Sequence, residues 1–512
     1  MALVAAERAR TRGDEIALRD DDTAFTWAEV DDRLNRVANG FHALPLGPLR
    51  RIAVYAENCA EVVLVHLGGL LGGVSTVPVN FHLTAEEAAY ILRDSGASVL
   101  FVGPENLERG LEAAGMAGVD IVIGWRCGPA ARSWTDWLAA SDPAEPPVDV
   151  APLPNLMYTS GTTGFPKGVD LPPTMFAGGA TVAEHVEVLQ QGRFAQFGTH
   201  LVVGPMYHTG PLSGMRALAG GTPIVVLGRF DAERVLAAID AHHIETTVMV
   251  PTHFKRLLQL DPAVKARYDV SSMQLIAHTG AACPIDVKHQ MIGWFGPVLN
   301  DAYGATEVGT ICSISSEEWL THPGSVGRVI PPFARAVVVD DNDQEVPAGT
   351  EGRLYFEDST GRGIVYPNDP DKTARSHLRP GVFTIGEIGY VTPDGFVYIT
   401  DRFSDMIVAG GVNIYPAEAE AVLQDHPKVS DVAVIGVPHA DLGETVKALV
   451  VPVDPSDPPD AAELIALCRE HLAGYKCPRT VDIVSSIGRS AMGKVNKRAL
   501  RAPYWEASAP RA

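Results

Sequence analysis

The sequence predicts an α/β protein: a large N-terminal domain of parallel sheets covered by helices plus a β-rich subdomain, and a small α+β C-terminal domain. Three observations support this prediction. A chain of 512 residues is too long for one ordinary core. Strand and helix patterns alternate through residues 224–301, as in a parallel sheet with helices on both faces. After Arg402 the alternation restarts, so we place the domains at residues 1–402 and 403–512.

The first part of the N-terminal domain contains a predicted helix, a charge-free segment and a connector. Thr26 and Glu29 form a capping-box pattern, and apolar residues follow them at helical spacing. Residues 62–85 contain no Asp, Glu, Lys or Arg, which raises the question of a membrane span. Glycines and Pro78 interrupt this stretch, so a buried helix followed by a buried strand is favoured. The proline-rich residues 143–154 predict a connector.

Further elements follow along the chain. In the middle of the chain, apolar β-branched runs predict strands at 224–227, 246–250, 274–278 and 298–301. Amphipathic runs predict two helices between them. One is at 231–242 and is capped by Asp231, and the other is at 284–295 and has a proline in its first turn. Thr-Pro-Asp-Gly between two apolar runs, 390–391 and 396–399, predicts a hairpin. The C-terminal domain is predicted to contain a helix from Pro416, a helix at 461–472, and strands at 431–437, 446–453 and 480–484.

Charge and cysteine content exclude some functions and suggest a location. The formal net charge of −21 argues against nucleic acid as a partner, because phosphate backbones require clustered Lys and Arg. Six cysteines are widely spaced and form no C-x-x-C pair, which is typical of reduced thiols. The first residues lack the apolar core of a signal peptide. We therefore expect a cytoplasmic protein without an integral membrane segment.

A phosphate-binding loop is the strongest chemical signal. The segment Tyr158-Thr-Ser-Gly-Thr-Thr-Gly-Phe-Pro-Lys167-Gly168 follows a predicted strand that ends at Tyr158. Backbone N–H groups and hydroxyls in such a run can surround phosphate oxygens, and Lys167 adds a positive charge. The Walker pattern does not fit, since Pro166 precedes the lysine and Gly168 follows it. The segment therefore predicts a phosphate loop of another kind.

Two further segments indicate sites for a nucleotide base and a metal ion. Thr279-Gly-Ala-Ala282 follows one predicted strand, and Tyr303-Gly-Ala-Thr-Glu307 follows the next. Both loops are expected to emerge at the carboxyl edge of the sheet, where ligands bind in such folds. Small residues allow a flat ring to approach the backbone. Tyr303 can stack on that ring, and Glu307 can bind Mg²⁺.

These segments, together with others, occur in the order that is found in a known family. The chain resembles the adenylate-forming superfamily, which includes acyl-CoA synthetases such as fatty-acid–CoA ligases, adenylation domains of nonribosomal peptide synthetases, and beetle luciferases. The resemblance covers essentially the whole chain. It identifies the larger domain as the AMP-binding domain and the smaller one as the mobile C-terminal domain of these enzymes. It rests on matches at residues 158–168, 205–210, 280–284, 303–307, 384–387, 401–405, 410–418 and 493–494.

The resemblance implies a ligase reaction in two steps. A carboxylic acid, expected to be fatty, reacts with ATP to give acyl-AMP and pyrophosphate. Acyl-AMP and CoA then give acyl-CoA and AMP. ATP, Mg²⁺ and CoA are therefore the implied cofactors and co-substrates. The first step places a carboxylate beside an anionic nucleotide, so the site needs positive charge from Mg²⁺ and a lysine.

The resemblance also implies a role for each matching residue. Lys494 matches the lysine that bridges the carboxylate and the α-phosphate, Thr159 and Glu307 match the Mg²⁺ positions, and His208 lines the passage between acyl pocket and thiol. The ATP-binding positions are Thr159, Ser160, Gly161, Thr162, Thr163, Gly164 and Lys167 on the phosphate loop, Gly280, Ala281, Ala282 and Tyr303 at the adenine, Gly304 and Thr306 in the Tyr303 segment, and Glu387 and Arg402 at the ribose.

Three positions depart from the family pattern. Glu387 stands where Asp is usual, Ser404 occupies the hinge position, where Asp or Lys is frequent, and Gly488 replaces a proline before Lys494. None of these changes removes a charge that the chemistry requires, so we expect activity. The resemblance also implies a rotation at the hinge, which brings Lys494 to the site for the first step and residues 410–413 for the second.

Two alternative functions stay open. One is an acyl-AMP ligase that loads a carrier protein; no carrier domain follows Ala512, which favours free CoA. The other is an inactive nucleotide-binding regulator, against which the presence of Lys494, Glu307 and the phosphate loop argues. The acid is open among medium- or long-chain fatty acids, aryl acids and sterol side-chain acids. If the protein is an oligomer, a homodimer is the first expectation.

Overall fold

The computed structural model describes residues 4–159, 166–171, 179–340, 342–366, 370–402, 406–488, 495 and 497–506. Its largest sheet has nine strands, the inner ones parallel and the outermost pairings antiparallel. In spatial order these are Arg328–Val329, Gly309–Ser315, Leu299–Ala305, Leu275–His278, Thr246–Met249, His200–Val202, Ile224–Val226, Ile16–Arg19 and Ala24–Thr26.

Three more sheets complete the N-terminal domain. The first is fully parallel, the second is a two-stranded hairpin, and the third is antiparallel. The parallel sheet has the order Ser75–Pro78, Arg51–Tyr55, Val99–Val102, Ile121–Gly124 and Arg132–Ser133; the hairpin is Leu156–Thr159 with Lys167–Asp170; the antiparallel sheet contains Phe333–Val339, Gly352–Asp358, Val382–Val391, His377–Arg379 and Val397–Arg402.

Helices cover the sheets of this domain. They are Val4–Arg12, Trp27–His42, Ala60–Leu71, Ala85–Ser95, Leu107–Ala117, Trp134–Ala139, Val182–Gln190, Thr209–Met215, Ala232–His242, Pro251–Leu258, Pro262–Lys265, Ile285–Phe295, Ser316–Thr321 and Pro370–Arg375, with short 3₁₀ turns between some of them.

The C-terminal domain is a sheet packed against helices. Its strands are Val412–Ile414, Ile407–Ala409, Gly443–Pro452 and Val429–His439 in spatial order, with Thr480–Ile483 parallel to Gly443–Pro452. Its helices are Pro416–Gln424, Ala461–His471 and Lys497–Glu506. The sheet and helices enclose a core of their own, formed by residues such as Leu423, Val434, Val450 and Leu464.

The charge-free segment lies inside the N-terminal domain. All 12 residues of the helix Ala60–Leu71 are buried, and so is every residue of the following strand, Ser75–Pro78. A Cβ atom on Gly68 would collide with the side chain of Val37, so glycine allows the two helices to approach closely. Among the described helices, none is both long and apolar enough to cross a membrane. The expectation of a buried helix followed by a buried strand is confirmed.

Most of the predicted elements are confirmed within one or two residues. The helix after Thr26 has a complete capping box, and Asp231 caps the helix Ala232–His242 by accepting a hydrogen bond from the backbone N–H of Arg234. The hairpin around residues 392–395 joins two antiparallel strands, and Thr392 donates its backbone N–H to the carbonyl of Phe396. The connector at 143–154 contains neither helix nor strand.

The structure corrects two local predictions. Pro284 is the N-cap of the helix Ile285–Phe295 rather than part of its first turn. The segment that begins at Tyr303 is not a loop after a strand, because Leu299–Ala305 continues as a strand and turns back antiparallel into Gly309–Ser315. Period and propensity could not show this, since the antiparallel partner follows only after the turn. The hairpin of Ile407–Ala409 and Val412–Ile414 was not predicted.

Candidate active site

The predicted phosphate loop begins and ends on paired strands. Thr159 lies opposite Lys167, and Tyr158 lies opposite Gly168, so the two ends of the loop are neighbours. Tyr158 donates its hydroxyl to Asp94, with an oxygen–oxygen distance of 2.6 Å, which ties this hairpin to the helix Ala85–Ser95. Residues 160–165, which include the predicted ligands from Ser160 to Gly164, lie outside the described residues, as does the side chain of Thr159.

The two predicted adenine segments lie on neighbouring strands. His278 and Asp301 are partners in the parallel pairing of Leu275–His278 with Leu299–Ala305, so the residues that follow them share one edge of the sheet. Gly280 has a φ of +85°, which favours glycine. Gly304 approaches the carbonyl of Gly309 so closely that a Cβ atom would collide with it. The structure thus brings the Gly280–Ala282 and Tyr303–Thr306 positions together, as predicted.

A buried ion pair involves a residue of the second of these strands. Lys288 is 1% exposed, and its Nζ lies 3.1 Å from Asp301 Oδ2 and 4.7 Å from the centroid of the Trp319 ring. The ring of His278 lies near the same carboxylate, with Nδ1 3.6 Å from Asp301 Oδ1. Burial lowers the pKa of His278 to about 4, so the ring is neutral at pH 7. No sequence pattern indicates this cluster, since Lys288 lies on a helix of ordinary composition.

Glu307 and Thr306 follow Tyr303 at the turn. Burial raises the pKa of the Glu307 carboxyl, and the nearby charge of Lys372 opposes that rise. Lys372 lies on the helix Pro370–Arg375, and sequence reasoning did not identify it. Thr306 Oγ1 lies 3.2 Å from Thr209 Oγ1, at hydrogen-bonding distance. This contact joins the turn to the start of the helix Thr209–Met215.

The predicted ribose residues lie opposite each other in the antiparallel sheet. Glu387 pairs with Arg402 across Val382–Val391 and Val397–Arg402, and with Leu354 on its other side. Glu387 is 6% exposed and therefore lies inside the sheet region rather than on its solvent surface. The side chain of Arg402 lies outside the described residues. The backbone arrangement nevertheless places both residues at one position of the ladder.

A cavity lies between the two domains. Its volume is about 90 Å³, and its walls come from both domains: His208, Thr209 and Thr306 on one side, Val412, Asn413 and Lys476 on the other, with Tyr207 and Tyr475 among the remaining lining residues. Burial lowers the pKa of His208 to about 4, with a smaller contribution from His82. Its Nε2 has no hydrogen-bond partner among the residues that the structure describes. His208 is thus a neutral ring with one polar atom free at this site.

The hairpin of the C-terminal domain closes one side of this site. At its tip, Gly410 and Gly411 have φ values of +63° and +84°, which favour glycine. A Cβ atom on Gly411 would lie 3.0 Å from the Val250 side chain, and one on Gly280 would lie 3.8 Å from the Gly411 carbonyl oxygen. The 410–413 segment therefore lies against the predicted nucleotide edge. Lys494 and Ser404 lie outside the described residues.

Fold and site together define an α/β enzyme of the adenylate-forming class. A family model described as AMP-binding enzyme matches residues 5–361, and one described as AMP-binding enzyme C-terminal domain matches residues 418–494. The chain belongs to the AMP-binding enzyme family.

Relatives that align over nearly the whole chain are named as ligases or synthases. A feruloyl-CoA synthase from Amycolatopsis sp is 33% identical over 506 residues, which cover 96% of this chain and 97% of that protein. A fatty acid–[acyl-carrier-protein] ligase, ScoC, from Streptomyces coeruleorubidus is 30% identical over 95% of this chain and 92% of its own length. The names of these two relatives differ in both acid and acceptor.

Solved structures of similar proteins cover the whole chain as well. The amide bond synthetase McbA from Marinactinospora thermotolerans superposes with a TM-score of 0.82 at 27% identity, covering 98% of this chain and 99% of that one. The o-succinylbenzoate CoA synthetase MenE from Bacillus subtilis, 26% identical, was solved in two states, each covering 98% of both chains. The TM-score is 0.78 for a double mutant bound with its CoA product analogue and 0.63 for the complex with the acyl-adenylate intermediate.

Proposed function

We propose that this protein is an ATP-dependent acyl-CoA ligase that forms acyl-AMP from a carboxylic acid and ATP and then transfers the acyl group to CoA. The protein is an AMP-forming acid–thiol ligase. The observation that carries the proposal is the cavity between the domains, where His208 and Thr306 face Asn413 of the C-terminal hairpin. A site that is built from two domains suits a reaction whose two steps need different groups around one acyl carbon.

In the first step the nucleotide is held by the N-terminal domain. We place the adenine against Gly280–Ala282 and Tyr303, and the ribose at Glu387 and Arg402. The neighbouring strands of the first set and the ladder pairing of the second support these placements. We place the phosphates on the loop from Thr159 to Lys167, whose ends are paired across the hairpin.

The residues at this site fit a bound Mg²⁺. A carboxylate from Glu307 and a hydroxyl from Thr159 are oxygen ligands of the kind that Mg²⁺ prefers, and phosphate oxygens and water would supply the rest. Because burial disfavours the charged form of Glu307, a cation beside it would stabilise the carboxylate. When bound, Mg²⁺ would neutralise charge on the phosphates. Among the described residues, no three His, Cys, Asp or Glu side chains converge on one point.

In the second step we expect the C-terminal domain to stand as it does in this structure. Residues 410–413 then lie at the nucleotide edge, and the CoA thiol reaches the acyl carbon through the cavity. The higher TM-score to MenE bound with its CoA product analogue supports this assignment. For the first step we propose a rotation about residues 403–405 that brings Lys494 to the α-phosphate. We keep the domain boundary between residues 402 and 403 as part of this proposal.

His208 is placed to line the path of the thiol. Its ring packs on Tyr207, with centroids 4.5 Å apart, and Tyr207 packs edge-on against Phe81 at 5.2 Å. Because the ring is neutral, it neither repels nor attracts a charge on the acyl-adenylate. We propose that its Nε2 forms a hydrogen bond to a group in the cavity once substrate is bound.

A second candidate function differs from the first in the acceptor of the acyl group, which would be a carrier protein instead of CoA. ScoC is named as a ligase that uses an acyl carrier protein, and its coverage of the chain matches that of the CoA ligases. The decisive experiment supplies one acid and ATP with either CoA or a phosphopantetheinylated carrier protein, and identifies the thioester by mass spectrometry. We expect acyl-CoA. Acyl-carrier protein alone would make the protein a carrier-loading ligase.

The acid is found by a panel in the same assay. Ferulate, medium- and long-chain fatty acids and sterol side-chain acids represent the classes that remain open, and ATP–pyrophosphate exchange reports the first step for each. Absence of exchange with every acid would contradict the proposed function. All six cysteines are free thiols, which supports our proposal of a cytoplasmic location. A homodimer is the first oligomer to test, by light scattering.

A further inference from the structure

A buried cluster of charges joins the two domains beside the cavity. Lys476 of the C-terminal domain is 3% exposed, and its Nζ lies 2.8 Å from Glu87 Oε1 and 2.6 Å from Glu418 Oε2. Glu87 belongs to the helix Ala85–Ser95 of the N-terminal domain, whereas Glu418 belongs to the C-terminal domain. We call Lys476, Glu87 and Glu418 the buried triad. None of its members has a part in the proposed chemistry.

Glu87 is fixed in place by its own helix. Its Oε2 accepts the backbone N–H of Thr84 at 2.9 Å, and its own N–H is donated to the Thr84 hydroxyl, which completes a capping box. The same Oε2 also accepts the backbone N–H of Ala473 at 3.1 Å. Glu87 therefore binds two groups of the C-terminal domain with a carboxylate that is already oriented. Nearby, Asn80 donates to the Tyr475 hydroxyl at 3.0 Å across the same boundary.

A rotation of the C-terminal domain would affect the contacts of Lys476 with the two carboxylates differently. Glu418 moves with Lys476, so that pair persists in any orientation of the C-terminal domain. Glu87 stays behind, so its contact with Lys476 exists only near the arrangement described here. Lys476 and Glu418 are buried and the Glu87 side chain is 11% exposed, so this contact is weakly screened. Loss of the Glu87 charge leaves Lys476 paired with Glu418 alone. A second ion pair across the boundary, Arg256 with Asp441 at 3.2 Å, is exposed and contributes little.

We propose that Lys476 is a positioning residue for thioester formation, which binds Glu87 and thereby holds the C-terminal domain where residues 410–413 close the cavity. This inference rests on the proposed two-step reaction and extends it, by naming the contact that favours the second arrangement over the first. Lys494 and the hinge are not involved in it. The predicted consequence is selective, because the triad stabilises only the arrangement that is used with CoA.

The variant that tests this is Glu87→Gln. Glutamine at the same capping-box position retains the helix cap but removes the charge that Lys476 binds. The matched control is Glu29→Gln, since Glu29 occupies the equivalent position in the capping box of Trp27–His42, with the same 2.9 and 3.3 Å hydrogen bonds. Within the described part of the chain, its carboxylate binds only the Thr26 backbone N–H. Both half-reactions are measured: pyrophosphate exchange with acid and ATP, and consumption of supplied acyl-AMP by CoA.

For Glu87→Gln we expect thioester formation to slow by about ten-fold or more, while pyrophosphate exchange stays within about two-fold of the parent. Glu29→Gln should change neither rate. Equal loss of both half-reactions, or an unchanged rate of thioester formation, would overturn the proposal. In a double-mutant cycle with Lys476→Met, we expect the combined loss to be smaller than the product of the two single losses. Independent, multiplying losses would also overturn it.

A measurement without substrate separates this proposal from the proposed function. Hydrogen–deuterium exchange is followed in the peptide that contains Ala473–Lys476, whose first amide is donated to Glu87. We expect faster exchange in Glu87→Gln and parent-like exchange in Glu29→Gln. If no acid supports pyrophosphate exchange but this difference appears, the proposed function fails and the contact between the domains stands. Identical exchange in all three proteins would contradict the role of Glu87 in holding the domain.

Discussion

Acidification should destabilise the N-terminal domain because of its buried histidines. Burial lowers the pKa of His66, His200 and His253 to about 3, and that of His208 and His278 to about 4. In the unfolded chain each would titrate near pH 6.5. A histidine with a lowered pKa stabilises the folded state above pH 6.5. That stability is lost as the pH falls toward the folded pKa, because the unfolded chain takes up the proton first.

The size of this effect follows from the difference in the number of protons bound by the unfolded and the folded chain. At pH 5 the unfolded chain would bind about five more protons than the folded one on these histidines. Asp31 acts in the opposite direction, since burial and the nearby Glu145 raise its pKa to about 6. The net uptake is about four protons, so the free energy of unfolding should fall by about 5 kcal/mol per pH unit near pH 5. A domain stable by about 5–15 kcal/mol loses much of its stability over one or two pH units.

The assay is urea unfolding followed by tryptophan fluorescence at pH 7.5, 6.5, 5.5, 5.0 and 4.5, with the slope taken between pH 5.5 and 4.5. His253→Phe is the diagnostic variant, because the His253 ring stacks on Phe230 with centroids 4.1 Å apart and a phenyl ring can keep that stacking. It should reduce the pH slope by about 1.4 kcal/mol per pH unit. Leu257→Ala, at a buried side chain of the same helix that does not titrate, is the control and should leave the slope unchanged. A slope that is insensitive to His253→Phe would refute this reasoning.

Three further variants test the proposed site. Lys494→Ala should slow pyrophosphate exchange by about 10²–10³-fold, because one preorganised charge is lost, while consumption of supplied acyl-AMP by CoA is affected less; normal acyl-AMP formation would rule out this role. Glu387→Ala should raise the KM for ATP by about ten-fold or more, from loss of a charged hydrogen bond worth about 1.5–3 kcal/mol. The buried Asp358 in the same sheet supplies the control Asp358→Asn, and an unchanged KM in Glu387→Ala would exclude ribose binding there. Ser404→Pro should retain acyl-AMP formation but fail to form acyl-CoA, since proline restricts the hinge; equal loss of both steps, with a native circular dichroism spectrum, would argue against a selective hinge.

Local signals predicted much of the fold because they recur at fixed spacing. The capping box at Thr26 and the cap at Asp231 are set by residues three apart, so sequence alone defines them. The continuation of the strand past Tyr303 depends on pairing with Gly309–Ser315, which a periodic pattern cannot reveal. The same limit explains why the 407–414 hairpin was missed.

The candidate site could be predicted only in part, because some of its residues come together only through packing of the folded chain. Co-linear motifs identified two predicted adenine segments, which follow or end neighbouring strands in the structure, and His208, which lines the cavity together with Thr306. They could not locate Lys476 or Glu87, which are 389 residues apart in sequence and meet only through the packing of the two domains. Nor could they show that Lys372 lies near Glu307. Charged residues usually lie on the surface, so a buried one has no distinguishing signal in the sequence.

The shared walls of the cavity have a consequence for inhibitor design. His208 and Thr306 come from one domain and Asn413 from the other, so a molecule that contacts all three can bind only while the domains are together. Its apparent Kd equals the intrinsic value divided by the fraction of molecules in that arrangement. Such an inhibitor would also trap the enzyme in that arrangement, and its potency would report the population of the closed form in any variant.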